Sequence, residues 1–466
     1  MIAMTFAQVA EIAGGRLHDA AATGEVTAGM SYDSRDVRPG GIFLALRGER
    51  VDGHDYAAAA VKAGSALVLA ARPVGVPAIV VDDVLAAAGA LASRLAERLT
   101  ARVIGITGSS GKTSTKDLTA HVLAAAGPTV ATIGSHNSEI GTPETVSRAD
   151  EATRFLVLEM GARGIGHLRQ LTAMVPLDIA AVLNVGTAHL GEFGSREAIA
   201  QAKGELVEDL RPDGLAILNA DDAAVRAMAS RTRARVVLVG RDLQAHIRAE
   251  HVELDQGGRA RFKLVTPEGR ANVTLQLVGE HHVANALTAA AIGREAGLDV
   301  DQLADRLSTA RPASRWRMEV TERPDGVTVV NDAYNANPDS MRASLTALAA
   351  MSHGRRAIAV LGEMRELGDD SEREHTRLGE LAAELGILHL VTVGHTEARC
   401  IEQAARHGGV DAIRVPDPEA AFAELQQRLR AGDVVLFKAS RDANLQTLAD
   451  KIAHDDTSHD ADAHLA

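Results

Sequence analysis

The chain is short of the residues that mark several common protein classes. Its single cysteine, Cys400, cannot close an internal disulfide or build a thiolate metal site alone, and reads as a bystander thiol. Aromatic residues make up 2% of the chain, so its cores must be built from Ala, Val, Leu and Ile. No stretch approaches the ~18 uninterrupted apolar residues of a membrane span. The N-terminal MIAMTFAQVAEIAGG lacks the basic start of a secretory signal. These absences predict a cytoplasmic chain with no membrane partner. Positive charge is scarce as well. The 49 Lys and Arg stand against 62 Asp and Glu, a net charge of −13, which argues against a nucleic-acid partner. Anionic ligands must then be held by local cations and helix ends.

What is present is an ordinary globular composition over 466 residues, 46% apolar and 24% charged, long enough for about three domains. The organising stretch is 101–117, ARVIGITGSSGKTSTKD. The β-branched run Val103–Thr107 predicts a buried parallel strand. It breaks at Gly108-Ser109-Ser110-Gly111, and Lys112-Thr113-Ser114 opens a helix. A strand, a glycine turn and a helix N-terminus make a phosphate cradle, because unpaired amides and the helix dipole point at the anion. Lysine reaches the outer phosphates and the Thr113 hydroxyl is suited to Mg2+. The usual spacing wants a further glycine where Ile106 stands. The stretch reads as an ATP site.

Taken in order, residues 1–98 alternate strand and helix, with a corner at Ser31-Tyr32-Asp33-Ser34-Arg35 that by itself reads as a hydrogen-bonded turn. Residues 99–313 read as a mononucleotide-binding domain. Its strand 155–158 ends in Glu159, and an acid at a strand end beside a phosphate loop suits Mg2+. The strand 178–185 leads to His189, a further candidate ligand. Lys203 lies in a mild helix and by pattern alone reads as solvated. The polar stretch Gly134–Pro143, with Asn137 and Ser138, suits ligand contact. From 246 to 278 hairpin signals predict a small antiparallel extension. Residues 314–455 repeat the β/α alternation of a doubly wound, mostly parallel sheet, and the polar segment 456–466 is expected to be disordered.

The order of motifs resembles the Mur ligases over essentially the whole chain. The shared marks are Thr-Gly-Ser-Ser-Gly-Lys-Thr, Glu159-Met-Gly, Asn184–His189, Ala-Lys-Gly-Glu at Lys203, His281–Asn285, Arg315 and Asn331–Pro338. The runs Asp332–Met341 and Leu361–Gly368 most resemble the members that add D-alanyl-D-alanine, and the Asp-Asn-Pro-Arg signature of the diaminopimelate-adding relatives is absent. Departures from the family pattern are His282 for asparagine, Glu363 for aspartate and Ala439 for glycine.

The resemblance implies an α/β protein of three domains. An N-terminal domain would bind the UDP-sugar peptide, a central P-loop domain would carry a parallel sheet with the antiparallel extension, and a Rossmann-like domain would follow. The substrates implied are UDP-MurNAc-tripeptide and D-Ala-D-Ala, joined at the expense of ATP with two Mg2+ ions, in peptidoglycan precursor synthesis by a monomer. Lys203 falls where these ligases carry a lysine that takes up CO2 as a carbamate. Asn285, Arg315 and Asp332 would hold adenine, phosphates and ribose. Ser31, Asp33, Ser34, Arg35, Asn137, Ser138, Tyr334, Asn335 and Asn337 would face the other substrates. The rival readings are a sister ligase with another amine, a folate-type polyglutamate ligase, and a nucleotide-sensing switch.

Overall fold

The computed structural model describes residues 1–48, 51–187 and 190–454. His189 and the tail expected to be disordered therefore lie outside the described residues. The central sheet has nine strands. Its middle strand, Arg102–Thr107, is flanked in parallel by Phe155–Glu159 and Ile179–Val182. Every residue of that strand after Arg102 is buried, because helices cover both faces. That is why the sequence there runs continuously apolar instead of alternating. Helix His282–Glu295 lies against helix Lys112–Leu123 on one face. Their approach needs Gly293, where a Cβ would come within 2.5 Å of Val122 and 2.6 Å of Leu303.

The antiparallel extension belongs to this same sheet. Val239 pairs with Ile247 and Gly240 with Arg248 in parallel, so strand Ile247–Leu254 continues the nucleotide-binding sheet before the chain doubles back. Strands Arg259–Thr266 and Gly269–Val278 then add in antiparallel register and cover the edge.

The N-terminal part forms a five-stranded sheet, parallel except for Arg16–His18. Helix Val84–Arg98 starts at Asp83, whose side chain accepts from the amides of Leu85 and Ala86. Its Leu91 and Leu95 join Leu156 and Leu158 of the central sheet in one apolar core. The last part is a six-stranded sheet, parallel except at Glu319–Glu322, which pairs antiparallel with Thr328–Asn331. The β/α alternation gave no sign of that edge strand, since Glu-Val-Thr-Glu offers one apolar side chain and no buried face. Among the described residues no helix is long and apolar enough to cross a membrane.

Candidate active site

A cleft of about 1030 Å3 opens at the carboxyl ends of the central strands, with walls from all three sheets' domains. The phosphate loop forms its floor. Ser110 N donates to Asn184 Oδ1 (2.9 Å) while Asn184 Nδ2 donates to Ser110 O (3.1 Å), and Gly186 N donates to Ser109 Oγ (2.9 Å). The loop is thus braced from the next strand end. Gly111 sits at φ +79°, and a Cβ there would stand 2.7 Å from Asn285 Oδ1, so only glycine fits. Lys112 Nζ donates to Gly108 O at 2.7 Å. Burial lowers the pKa of this ammonium, Glu159 opposes the shift and Arg317 adds to it.

The carboxylate of Glu159 is buried at the end of its strand. Oε1 accepts from Asn137 Nδ2 at 2.7 Å, whereas Oε2 is buried with no partner among the described residues. An unpaired buried carboxylate oxygen is costly unless a cation meets it. With the buried Thr113 hydroxyl it offers the hard oxygen donors that Mg2+ prefers, so these residues fit that ion. Lys203, which the pattern alone gave as solvated, is 3% exposed and lines the cleft. It belongs to helix Arg196–Glu208, whose Ala202–Val207 segment is buried throughout. Burial, reinforced by the charge of Lys112, pushes the Lys203 ammonium well below its ordinary pKa.

The C-terminal wall is more specific than the sequence suggested. Arg317 Nη2 donates to Thr113 Oγ1 at 3.2 Å, and its buried Nε has no partner among the described residues. An uncommitted guanidinium N–H beside a phosphate loop suits an anion. Arg315 instead lies outside the cleft, donating to Asp450 at 3.0 Å with its guanidinium 5.4 Å from the Trp316 ring centre. Left-handed backbone at Trp316 (φ 61°) and Met318 (φ 51°) sends these two arginines different ways. Asp332 accepts from Met318 N, from Ser344 Oγ (2.6 Å) and from Lys438 Nζ (2.6 Å). The Tyr334 ring lies 4.1 Å from the Arg317 guanidinium and 5.2 Å from that of Arg441, and its hydroxyl meets Ser135 Oγ. Asp339 Oδ2 accepts from Thr187 N at 2.9 Å, a third tie between the last domain and the central one, at the loop after Asn184.

Most of the other expected residues line the same cleft: Ser109, Ser110, Ser114, Asn137, Ser138, Asn285, Asn335 and Asn337. At the N-terminal corner Asp33 lines it, while Ser31, Ser34 and Arg35 do not. Ser31 is buried, with its hydroxyl donating to Asp33 O at 3.1 Å. Arg35 closes the corner on the Asp33 carboxylate (Nε to Oδ1 2.9 Å) and holds that group's pKa down to about 2. The turn reading of this corner agrees with the geometry. Tyr32, His136 and Asp339 lie in stretches the sequence marked without a role for them individually, and nothing in the sequence marked Arg317, since a single polar residue carries no spacing signal.

His282 stands beneath Asn285, its Nδ1 at 3.2 Å from Asn285 Nδ2. Burial, with His281 adjacent, holds its pKa well below the ordinary 6.5. The fold therefore keeps it neutral while the unfolded chain takes up a proton below that value. Its contribution to stability is present above the unfolded pKa and is lost as pH falls. The melting temperature is expected to drop between about pH 7.5 and about pH 5.5, and to drop less for His282→Asn. Thermal scans of the two proteins at both pH values check it.

A phosphate loop at the switch of a parallel sheet, facing a strand-end acid and closed over by a third domain, defines an ATP-dependent α/β enzyme of three domains. Residues 27–121 match the Mur ligase family catalytic domain, 106–293 the Mur ligase middle domain and 316–441 the Mur ligase glutamate ligase domain. The chain belongs to the Mur ligase family. It is 50% identical to the UDP-N-acetylmuramoyl-tripeptide–D-alanyl-D-alanine ligase of Mycobacterium tuberculosis, covering 98% of this chain and 99% of that one. Identity to the enzyme of that name from Escherichia coli is 34%, over 96% of this chain and 97% of the other. Among solved structures, MurF from Acinetobacter baumannii superposes with a TM-score of 0.83 at 31% identity, covering 97% of this chain and 99% of that one. The MurF ligase from Thermotoga maritima in complex with ADP gives 0.77 at 29% identity, covering 92% and 97%.

Proposed function

We infer that this chain joins D-alanyl-D-alanine to UDP-MurNAc-tripeptide at the expense of ATP, in peptidoglycan precursor synthesis. The observation that carries the reading is near full-length identity to ligases of that name, on a cleft whose loop, acid and lysine suit the chemistry. The terminal carboxylate of the tripeptide attacks the γ-phosphorus of ATP, giving an acyl phosphate and ADP. The dipeptide's amine, having lost its ammonium proton, attacks the carbonyl. The tetrahedral adduct expels phosphate and leaves an amide.

The first step brings two anions together, so screening and alignment carry most of the catalysis. Lys112 and Arg317 supply fixed positive charge at the phosphate loop. Asn184 holds that loop in shape through its two hydrogen bonds to Ser110, and Asn285, which stands against Gly111, is proposed to meet the adenine. A Mg2+ ion on Thr113 and Glu159 would neutralise charge on the transferring phosphoryl group. His189 is proposed as a further ligand. Burial of Lys203 favours the neutral amine, the form that adds CO2: the nitrogen lone pair bonds to carbon, a proton leaves, and a carbamate results. That anion would serve a second Mg2+.

The separate sheets support domain limits at 1–98, 99–313 and 314–455. Arg317→Ala is expected to lower kcat/KM for ATP by ~100-fold, the scale of a lost charge-stabilising donor. Arg315→Ala should stay within about twofold, since that side chain faces Asp450 at the surface. Steady-state phosphate release with both variants decides between the two arginines.

The function itself is tested by phosphate release from MgATP and UDP-MurNAc-tripeptide, with and without D-Ala-D-Ala, with the product weighed by mass spectrometry. Release that depends on the dipeptide and yields the pentapeptide bears the reading out. Release that needs a single amino acid would reassign the acceptor, and release indifferent to any amine would overturn the ligase reading.

A further inference from the structure

Three consecutive residues of one loop reach four different partners. Ser135 Oγ meets the Tyr334 hydroxyl of the C-terminal domain. Asn137 Nδ2 donates to Glu159 Oε1 at 2.7 Å. Between them, His136 has both ring nitrogens engaged: Nδ1 lies 2.8 Å from Glu144 Oε2 and Nε2 lies 3.1 Å from the Tyr32 hydroxyl of the N-terminal domain.

Chemistry fixes the direction of this chain. A carboxylate cannot donate, so the proton facing Glu144 sits on Nδ1, and in the neutral imidazole Nε2 is then left to accept. Tyr32 is the donor to Nε2. Burial and the nearby Glu144 raise its pKa to about 12, so it keeps its proton. Glu144 is only 8% exposed and belongs to helix Gly141–Ser147, which is also tied to the N-terminal sheet where Met30 N donates to Ser147 Oγ at 2.8 Å. The histidine is therefore anchored at one end on a buried helix and at the other on the turn that follows strand Met30–Ser31. The loop beside it carries no regular structure of its own before Gly141.

We propose that His136 is a positioning residue for the ligation: fixed between Glu144 and Tyr32, it sets the 135–137 loop so that Asn137 keeps Glu159 aimed into the cleft. In this arrangement His136 has no nitrogen free to move a substrate proton, so it acts through Asn137. The inference rests on the ligase reading above for its kinetic readout, but its geometric part is testable without turnover.

The experiment compares His136→Leu, His136→Gln and Tyr32→Phe, alone and with Asn137→Ala. His136→Leu should lower kcat about tenfold with the KM of each substrate within about twofold. Glutamine can still accept from Tyr32, so His136→Gln should recover most of the loss. In the Asn137→Ala background, His136→Leu should cost nothing further. Losses that add in the double variant, or a KM effect without a kcat effect, would overturn the proposal. A second readout uses the full-length protein labelled with 15N-histidine. The His136 resonance, identified by its absence in His136→Gln, should report the Nδ1–H tautomer, with Nε2 shifting in Tyr32→Phe. An Nε2–H tautomer would overturn the relay even if the ligase reading stands, and absent turnover with the expected tautomer would indict only the ligase reading.

Discussion

Glu159→Gln is expected to lower the rate of dipeptide-dependent phosphate release by ~10^3-fold, as for removal of a principal electrostatic group. The substitution keeps the volume and the oxygen that accepts from Asn137 at 2.7 Å, so the strand end and loop should stay where they are. What it removes is the charge on the second oxygen, the buried one with no partner among the described residues. In place of that oxygen it puts an NH2 group, which repels a cation. The wild-type arrangement is a hole in the hydrogen-bond network that only a positive partner fills, whereas the amide leaves nothing to fill it. Thermal stability of the variant should equal or exceed that of the wild type, because an unpaired buried charge has gone. Rates within about tenfold of wild type at saturating Mg2+ would show that Glu159 is not a metal ligand.

Lys203 offers the second large effect, and its sign separates two chemistries. As a cation, Lys203 would tolerate arginine. As the seat of a carbamate it would not, since a guanidinium stays protonated and does not add CO2. Lys203→Arg and Lys203→Ala are both expected to lose ~10^2-fold or more in kcat. In Lys203→Ala the lost side chain leaves room in the cleft, and added formate or acetate should restore part of the rate by supplying the missing carboxylate. Carbon-13 NMR on protein equilibrated with labelled bicarbonate should show a carbamate signal that both variants lack. An active arginine variant, or alanine unaffected by carboxylates, would leave Lys203 as a plain cation. The burial that depresses its pKa also disfavours arginine on steric grounds, so the carboxylate rescue is the more telling arm.

The parts of this fold that could be read from sequence are those with a repeating physical cause. Val103–Thr107 is apolar at nearly every position because it is covered on both sides, and that signal survives without any coordinates. Gly111-Lys112-Thr113 could be read because a loop that wraps phosphate has few chemical solutions. Lys203 shows the opposite case. Its helix has a weak apolar stripe, so pattern could not say which side faced the protein, and only the family resemblance pointed inward. Arg315 entered only through the family resemblance, and no local pattern marks Arg317; positive φ at Trp316 and Met318 turns the first toward Asp450 and the second toward Thr113, a difference that spacing along the chain does not carry. Likewise His136 and Asp339 act across domains, 104 and 152 residues from Tyr32 and Thr187, a distance over which local pattern is silent.

The continuity of the nine-stranded sheet sets a limit on how this protein can be cut. Strand Arg235–Gly240 borders the hairpins on one side and the nucleotide-binding strands on the other. In the whole chain that strand pairs with the hairpins only at Val239 and Gly240, and a fragment ending after Gly240 would open this last stretch too, leaving an apolar edge without a proline to blunt it. Such an edge recruits strands from other molecules, so the fragment should self-associate through sheet extension. The hairpins thus act as a gatekeeper against aggregation, and a soluble ATP-binding fragment must retain the chain through Val278.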